Sequence, residues 1–433
     1  MNSTRSALHN VTTTLMVLCW LAGSARGGTI PSDGLTDATT ALQAALNESG
    51  RAGGEVFLPA GKYLIGGKLT VPAGVTLRGS WEEPHHGLGW EKGTCVLVTG
   101  GRNCDQGATV TLATNSALKG LTFLWPEERW NNIVAYPWAI FGDGIQVSVE
   151  NVTLINPYQG IKLGGPNKSN KSNMHLLRNI FGSPLRYGVF IDNCHDIGRI
   201  ENVHFNPNYW LDSGDPSASE GMDPTIKVAK RHQNDFAVLT YQLSHLEAFV
   251  FGRADWEYVL NTFVFGAHIG YHFIKTENGI PNGQLSGIGS DFGPICIQVD
   301  AIKAWGLQVT NGQFNNNKGV QAAAIITSPG AEGSVQFANC SFWATQGHAA
   351  WLQGQTTVKF TSCSFNNMTP GGTILAENGK LILNGCNFDQ PGSAVILKPG
   401  VSAAVIMGNL QPGGLQIENE VGKRAQIGLN ETP

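Results

Sequence analysis

Residues 335–344 read VQFANCSFWA, and near-copies of this stretch return as VKFTSCSFNN at 358–367 and LILNGCNFDQ at 381–390. Two columns recur every 23 residues, one of cysteine and one of phenylalanine: Cys340, Cys363 and Cys386, and Phe342, Phe365 and Phe388. A fixed period of this size is typical of stacked repeat architectures, in which each repeat presents the same inward slots. The repeat therefore predicts a solenoid.

A corner column stands three residues before the last apolar residue of each copy. It contains only glycine, asparagine and serine: Gly120, Asn151, Asn202, Asn311, Asn339, Ser362 and Gly385. Glycine and asparagine adopt the left-handed backbone conformation at little cost. We therefore expect the chain to turn a corner here between two short strands of each coil.

A second strand column accompanies these corners, as GIKLGG at 160–165, GVFIDN at 188–193, GYHFIK at 270–275 and ICIQVD at 295–300. Its apolar residues alternate with a period of two, as expected for strands that bury one face. Two strands and their turns in each coil predict an all-β, single-stranded parallel β-helix. About ten coils spaced by about 4.8 Å would form a rod roughly 50 Å long.

Composition excludes several classes of partner. The chain has 433 residues, 55 of them glycine, only 14% are charged, and the formal net charge is −4. This balance does not favour nucleic acid. The glycine-rich pieces lie in turns, without the strand, loop and helix context of nucleotide binding, so we expect no cofactor. No CxxC pair or histidine cluster predicts a metal. The sequence leaves the oligomeric state open.

The N-terminal segment 1–27 has one arginine, a short apolar run and small residues, the layout of a secretory signal. We expect a secreted or periplasmic protein with no membrane insertion once this segment is removed. Residues 28–90 are expected to form an N-terminal cap, with a helix after Asp37 whose apolar side covers the end of the rod, together with the first coils. Residues 91–433 would form the body, interrupted by a loop and helix insertion near 206–250.

The cysteines of the repeat face inward and are expected to remain free thiols, which behave as small apolar side chains. Cys95 and Cys104 are close enough in sequence for a loop disulfide.

The N-terminal stretch GLTDATTALQAALN at 34–47, followed by GGEVFLPAGKYLIGGKLTVPAGVTLRG at 53–79, resembles the pectate-lyase-like superfamily of right-handed parallel β-helices, in its rhamnogalacturonase and epimerase branch. The resemblance implies a secreted protein acting on polysaccharide, commonly as a glycoside hydrolase and in other members as a lyase, epimerase or adhesin. The chain lacks the paired aspartates of the polygalacturonase relatives, so their inverting machinery is not carried over. Asp291 lies closest in pattern to a catalytic carboxylate of the hydrolase relatives.

Alternation in the strands at 160–165 to 295–300 predicts an outward row over successive coils. Inward we expect Ile161 and Leu163, Val189 and Ile191, Tyr271 and Phe273, and Ile295 and Ile297. The outward row then contains Lys162, Phe190, Asp192, His272, Gln298 and Asp300, either a catalytic surface or a solvated face. From it we assign Asp192 as a candidate catalytic group and Lys162 and His272 to substrate binding, with Arg186 just ahead of the second strand.

The largest break in the repeat lies between Phe205 and Val259, where apolar residues at near-helical spacing predict a helix that forms one wall of a cleft. The break ends in FGRADWEYV, which places Arg253, Asp255, Trp256 and Glu257 together. We predict catalysis by Asp255, Glu257 or Asp291 and sugar contacts by Arg253, Trp256, Tyr209 and Trp210, because aromatic rings cover the apolar faces of sugars. The alternative is an ion pair of Arg253 and Asp255 with Trp256 in packing.

Three functions follow from these patterns. The first is a secreted glycoside hydrolase with a carboxylate pair drawn from Asp192, Asp255, Glu257 and Asp291. The second is a polysaccharide lyase or epimerase with Lys162, His272 or Arg253 as base. The third is a non-catalytic carbohydrate-binding protein, in which no two of those carboxylates would converge. The slightly acidic net charge favours the hydrolase over the lyase.

Overall fold

A computed structural model describes residues 29–81, 86–87, 89–165, 171–219, 229–316, 323–343, 347–367 and 373–431. The expected signal segment at 1–27 lies outside the described residues. Within those ranges, no helix has both the length and the apolar character needed to cross a membrane.

The strands pair in parallel from coil to coil and form the three faces of a β-helix, which confirms the predicted fold class. Sheet 1 contains Leu69–Val71, Ala108–Leu112, Trp138–Gly142, Gln159–Leu163, Tyr187–Ile191, Glu247–Phe251, Ile269–Phe273, Ile295–Val299, Ala323–Thr327, His348–Leu352, the first parts of Ile374–Asn384 and Ser393–Met407, and Gln416–Asn419.

Sheet 2 follows sheet 1 in each coil. It contains Gly54–Leu58, Val75–Gly79, the first parts of Ala117–Leu124, Ser148–Leu154, Leu176–Gly182, Gly198–Phe205 and Glu257–Phe265, then Gly283–Ser286, Leu307–Thr310, Ser334–Ala338, Thr357–Thr361, the second parts of Ile374–Asn384 and Ser393–Met407, and Ala425–Gly428.

Sheet 3 completes the coil. It contains Asp33–Asp37, Gly61–Ile65, Thr94–Val98, the second parts of the five strands from Ala117–Leu124 to Glu257–Phe265, and then Gly289–Asp291, Gln313–Asn315, Ser341–Trp343, Ser364–Asn366 and Asn387–Phe388. Within the described residues, short 3-10 helices lie at Trp90–Lys92, Pro216–Ala218 and Gly422–Arg424.

The corner between sheets 2 and 3 is the predicted one. All seven residues of the corner column have φ between 52° and 70°, the left-handed region. Asn179 is a further asparagine of this column, and its side chain donates to Asn151 Oδ1 at 2.7 Å, while Asn202 donates to Asn179 Oδ1 at 2.9 Å. The column therefore supplies both the backbone conformation and hydrogen bonds between coils.

The inward slots hold stacked side chains, as the repeat predicts. Phe342 stacks on Phe365 with ring centroids 5.1 Å apart, and Phe365 stacks on Phe388 at 4.7 Å. Cys340, Cys363 and Cys386 are buried beside them as free thiols. Cys95 is buried and Cys104 is exposed, and both are free thiols, so the loop disulfide considered from their spacing is wrong.

Helix α1, Thr39–Ser49, caps the first coils by burying Leu42 and Leu46 completely. Asp37 accepts a hydrogen bond from the backbone N–H of Thr39 at 2.8 Å and thereby organises the start of the helix. The exposed strand ends at this end of the rod are thus covered.

The insertion contains α2, Asn208–Leu211, and α3, Ala229–His245. It packs on the rod through a second apolar cluster that is separate from the main core and includes Trp90, Cys95, Leu124, Ile155, Leu185, Trp210, Ala218 and Val238. Residues 247–250, which the helical spacing had assigned to the insertion, belong to a strand of sheet 1. The apolar residues of EAFVF are compatible with both the helical and the strand period, so the pattern alone does not separate a helix from a strand here.

Candidate functional site

The outer face of sheet 1 carries the predicted outward row. Neighbouring coils place Lys162 beside Phe141 and Phe190, and they place His272 beside Val250 and Gln298. In the strand Ile295–Val299, the inward pair is Ile297 and Val299, because Ile297 lies in register with Tyr271 and Val299 with Phe273. Ile297 is inward as expected, but Ile295 is not part of the inward pair: it lies in register with Ile269, and the pair lies two residues further along the strand.

Aromatic side chains occupy the earlier coils of this face. The rings of Trp138 and Tyr187 stack with centroids 5.5 Å apart, and Phe190 meets the Trp138 ring edge-on at 6.1 Å. Lys162 Nζ lies 5.1 Å from the centroid of the Phe190 ring. Burial among these rings lowers the pKa of Lys162. This end of the face offers partly exposed ring surface with one cation beside it.

Charged side chains occupy the next coils. His272 Nδ1 lies 2.7 Å from Glu247 Oε2, and His272 Nε2 lies 2.8 Å from Asp300 Oδ2. Arg186 donates to Glu247 Oε1 at 3.1 Å, and Asp300 Oδ1 accepts from Ser328 Oγ at 2.5 Å. We call Arg186, Glu247, His272 and Asp300 the sheet 1 charge cluster.

The cluster fixes its own protonation. Burial alone would lower the pKa of His272, but its hydrogen bonds to Asp300 and Glu247 outweigh burial and raise that pKa to about 9. Burial opposes ionisation of Asp300, yet the hydrogen bonds from His272, Ser328 and Gln298 lower its pKa to about 2. The pKa of Glu247 is likewise lowered, because His272 and Arg186 outweigh burial. At neutral pH the cluster therefore contains an imidazolium between two carboxylates.

The end of the insertion borders this face. Arg186 donates to the carbonyl of His245, the last residue of α3, at 2.7 Å. The N–H of His268 donates to the carbonyl of Gln242 in the same helix at 3.0 Å. The insertion therefore stands at the edge of sheet 1 where the predicted cleft wall was expected.

Asp192 lies at the other edge of sheet 1 and is buried. Its Oδ1 accepts from the N–H of Arg253 at 2.8 Å and from Thr276 Oγ1 at 2.9 Å, and its Oδ2 accepts from Asn278 Nδ2 at 3.0 Å. These donors come from the two following turns, so the carboxylate joins three coils and is not presented to solvent.

Asp255 is paired with two cations. Arg253 donates to it through Nε at 2.9 Å and Nη2 at 2.6 Å, and Lys303 Nζ contacts its Oδ1. Burial opposes ionisation of Asp255, but these two cations outweigh burial and lower its pKa. The ion pair of Arg253 and Asp255 considered in the sequence is present, whereas Trp256 is exposed and does not pack the helix.

Glu257 points into the core and pairs with a histidine that the sequence did not single out. His175 Nε2 lies 2.9 Å from Glu257 Oε1, and His175 Nδ1 lies 2.7 Å from the carbonyl oxygen of Ser172. Cys194 Sγ completes a group of three potential metal ligands within 4.8 Å of one another. Although burial opposes protonation of His175, the nearby Glu257 raises its pKa well above the usual value, so a buried ion pair accounts for this contact.

Asp291 lies apart from the other three predicted catalytic carboxylates. Asp291 ends a strand of sheet 3, whereas Asp255 lies in the turn after a sheet 1 strand. The five residues of a sheet 1 strand separate those edges by roughly 13 Å or more, beyond the 5–9.5 Å of glycosidase carboxylate pairs. Burial raises the pKa of Asp291.

Tyr209 and Trp210 do not present ring faces to a ligand. Their exposed fractions are 2% and 0%, and Trp210 Nε1 donates to Ser217 Oγ at 2.9 Å within the second apolar cluster. They anchor the insertion, and the expectation that they cover sugar rings is corrected by this burial.

Glu247 was missed by the sequence analysis because its stretch was assigned to a helix. The alternation of Ala248, Val250 and their neighbours was the available signal for a strand.

The comparisons with known proteins agree with this fold. Residues 29–87 match the family described as rhamnogalacturonase A/epimerase, pectate lyase-like, and residues 275–410 match the right handed beta helix region. These matches confirm the resemblance inferred from the N-terminal segment and the handedness of the helix. No curated protein matches the chain.

Solved structures of similar fold are distant in sequence. A tailspike protein of E. coli bacteriophage HK620 in complex with a hexasaccharide is 13% identical, covers 91% of this chain and 73% of its own, with a TM-score of 0.50. The catalytic domain of a GH87 α-1,3-glucanase in complex with nigerose is 10% identical, with coverages of 85% and 66% and a TM-score of 0.51. The Streptococcus pneumoniae surface adhesin PfbA is 14% identical, with coverages of 90% and 94% and a TM-score of 0.39.

Proposed function

Because the chain resembles the pectate-lyase-like proteins in its N-terminal segment and has a right-handed β-helix fold, we propose that it is an exported carbohydrate-active protein that holds a polysaccharide along the outer face of sheet 1. The N-terminal signal layout supports export. The tailspike and glucanase of similar fold hold a hexasaccharide and nigerose, which supports carbohydrate as the class of ligand.

The aromatic end of the face suits sugar rings. Trp138, Tyr187 and Phe190 are each partly exposed; Tyr187 and Phe190 share one strand, and Trp138 lies two coils earlier, so the rings extend along the rod axis. Parallel coils repeat at about 4.8 Å, and a chain-like ligand lying along the rod meets one coil after another. Stacking on such surfaces is favourable because it removes apolar ring area from water.

The finer proposal is glycoside hydrolysis, and one observation carries it: Glu247 and Asp300 lie on opposite sides of the His272 ring. The two hydrogen bonds measure 2.7 and 2.8 Å. With the width of the imidazole added, the carboxylate oxygens are roughly 7 Å apart, within the 6.5–9.5 Å typical of inverting glycosidases. The cluster therefore supplies a carboxylate pair at this spacing.

The protonation of the cluster defines the roles. Hydrolysis breaks the bond from the anomeric carbon to the glycosidic oxygen as a water molecule adds to that carbon. Asp300 is ionised and accepts the proton of the attacking water. Glu247 is ionised, so the proton for the leaving oxygen comes from His272: Glu247 takes it from His272 Nδ1, its hydrogen-bond partner, and passes it to that oxygen. His272 ends neutral and Asp300 protonated, and exchange with solvent restores both.

A binding protein without catalysis is the second candidate. It is favoured by the number of hydrogen bonds already made by Asp192, Asp255 and the cluster itself, since satisfied carboxylates are common in purely structural networks.

A lyase would use a base next to a uronate, and Lys162 with its lowered pKa is the candidate base on this face.

The test measures new reducing ends and absorbance of unsaturated products on neutral and uronic-acid polysaccharides. We compare the wild type with Asp300→Asn, Glu247→Gln and Lys162→Met. Glu332→Gln is the matched control, because Glu332 is an exposed carboxylate in a turn of a later coil. New reducing ends that are lost in the two carboxylate variants and retained in the control support hydrolysis.

The other outcomes reject parts of the proposal. Unsaturated products that disappear in Lys162→Met establish a lyase instead. Retention of a polysaccharide on affinity gels without any product establishes a binding protein. Full hydrolytic activity of Asp300→Asn and Glu247→Gln removes the cluster from the mechanism.

A further inference from the structure

Two exposed tryptophans lie two coils apart at the edge between sheets 1 and 2, with the coil of Asn282 between them. Trp256 and Trp305 are 51% and 60% exposed. They line a groove of about 380 Å³ together with Asn282, Gly283, Gln284, Gly306 and Gln308. Large apolar side chains left this exposed beside a concave surface are a feature of binding sites.

The backbone holds Trp256 in a costly conformation. Its φ is 58°, which costs an L residue with a large side chain about 1–2 kcal/mol. Backbone hydrogen bonds hold the turn on both sides of Trp256. The N–H of Asp255 donates to the carbonyl of Cys194 at 3.0 Å, and the N–H of Glu257 donates to the carbonyl of Asn282 at 3.3 Å. Met174 and Ile197, at the same corner of two earlier coils, also have left-handed φ values of 58° and 42°, so the conformation belongs to this corner, and it leaves the Trp256 side chain 51% exposed.

A buried polar side chain with an unpartnered acceptor lines the same groove. Asn282 is only 4% exposed, and its Oδ1 has no hydrogen-bond partner among the described residues. A buried acceptor without a donor costs about 1–3 kcal/mol, and a ligand hydroxyl in the groove would remove that cost. The lone acceptor therefore predicts a donor on the bound molecule.

The groove opens onto a row of neutral amides. Gln284 lies in register with Gln308, and Gln308 lies in register with Gln336, on three successive strands of sheet 2. Each amide offers two donors and an acceptor, and the row repeats at about 4.8 Å along the rod. Lys303 lies beside Trp305 but is paired with Asp255, so the surface carries little unpaired charge.

We infer that this groove, which we call the tryptophan groove, binds a neutral glycan chain, with its sugar rings against Trp256 and Trp305 and its hydroxyls on Asn282 and the glutamine row. The chain runs along the rod axis, since the tryptophans and the glutamines both follow the coils. The inference takes the class of ligand from the proposed function but does not depend on catalysis at sheet 1.

The test is affinity electrophoresis of the full chain in gels containing a soluble β-glucan, a soluble α-glucan or a galactomannan, with polygalacturonate as the charged comparison. The variants are Trp305→Ala and the double variant Gln284→Ala with Gln308→Ala. Trp343→Ala is the matched control, because Trp343 is a 38% exposed tryptophan on sheet 3. We expect retention by at least one neutral polysaccharide that Trp305→Ala weakens about tenfold or more, in the range of an interface hot spot.

Two results overturn the inference: no retention of the wild type by any of the three neutral polysaccharides, or equal retention of Trp305→Ala and the wild type. Stronger retention by polygalacturonate than by the neutral gels rejects the neutral class. Circular dichroism and urea midpoints of Trp305→Ala equal to those of the wild type exclude misfolding as a cause.

The two proposals fail separately. Loss of the groove leaves hydrolysis of short oligosaccharides at the charge cluster unchanged. Loss of hydrolysis in Asp300→Asn leaves retention through the tryptophan groove unchanged.

Discussion

Replacing His272 by glutamine removes the titrating group between Glu247 and Asp300, and the effect on stability depends on pH. In the folded protein the pKa of His272 is raised from 6.5 to about 9, because the hydrogen bonds to both carboxylates outweigh burial. The side chain is 12% exposed, so solvent screens these contacts little. Raising this pKa from 6.5 to about 9 corresponds to about 3 kcal/mol of stability.

The sign follows from proton linkage. Between the unfolded pKa and the folded pKa, the native protein binds more protons than the unfolded chain, so stability falls as pH rises. The contribution of His272 is complete below about pH 6.5 and is lost as pH rises through about 9. The His272→Gln variant has no such contribution at any pH, while its other groups titrate as in the wild type.

The assay is urea unfolding of both proteins at pH 6 and pH 10, followed by tryptophan fluorescence. We expect the wild type to lose about 3 kcal/mol more than the variant between those pH values. In Asp300→Asn the loss should be smaller and should be complete at lower pH, because one of the two carboxylates that raise the pKa of His272 is gone. Identical pH dependence of wild type and His272→Gln would refute the assignment of an imidazolium to the cluster.

Three further predictions concern the rod. Phe365→Ala removes the middle ring of the stack and should cost about 3–5 kcal/mol in urea unfolding, whereas a cost below 1 kcal/mol would contradict the stacked core. Asn179→Ala should cost about 1–2 kcal/mol because alanine disfavours φ of 55°, and Asn179→Gly should cost less; equal costs would show that the backbone conformation is not the cause. In the native protein, Cys104 should react with a thiol reagent within minutes, since it is the exposed thiol of the described residues; rapid modification of Cys363 would contradict its burial.

Part of the site could be predicted from alternation alone. Lys162, Phe190, His272 and Gln298 lie on the outer face of sheet 1 as expected, because a period of two fixes the side of a strand once its limits are known. The same rule placed Ile297 inward correctly, and the error at Ile295 is one of register, because the inward pair of that strand is Ile297 and Val299.

Contacts between coils could not be predicted. Glu247 and His272 are 25 residues apart, His272 and Asp300 are 28 apart, and the lengths of the intervening turns decide which side chains become neighbours. The cluster in FGRADWEYV, by contrast, is close in sequence, yet its members diverge: Glu257 enters the core, Asp255 pairs with Lys303 and Trp256 faces solvent.

The sequence by itself determined the β-helix, its cap and its corner residues, because each coil repeats the same local requirements for inward apolar slots and left-handed turns. Only the tertiary structure decided which polar groups converge, because that depends on the stacking register of coils whose turns differ in length. It also decided which aromatic residues are available to a ligand. Trp210 and Trp305 are equally apolar, but the insertion buries the first and the turn between sheets 1 and 2 leaves the second exposed.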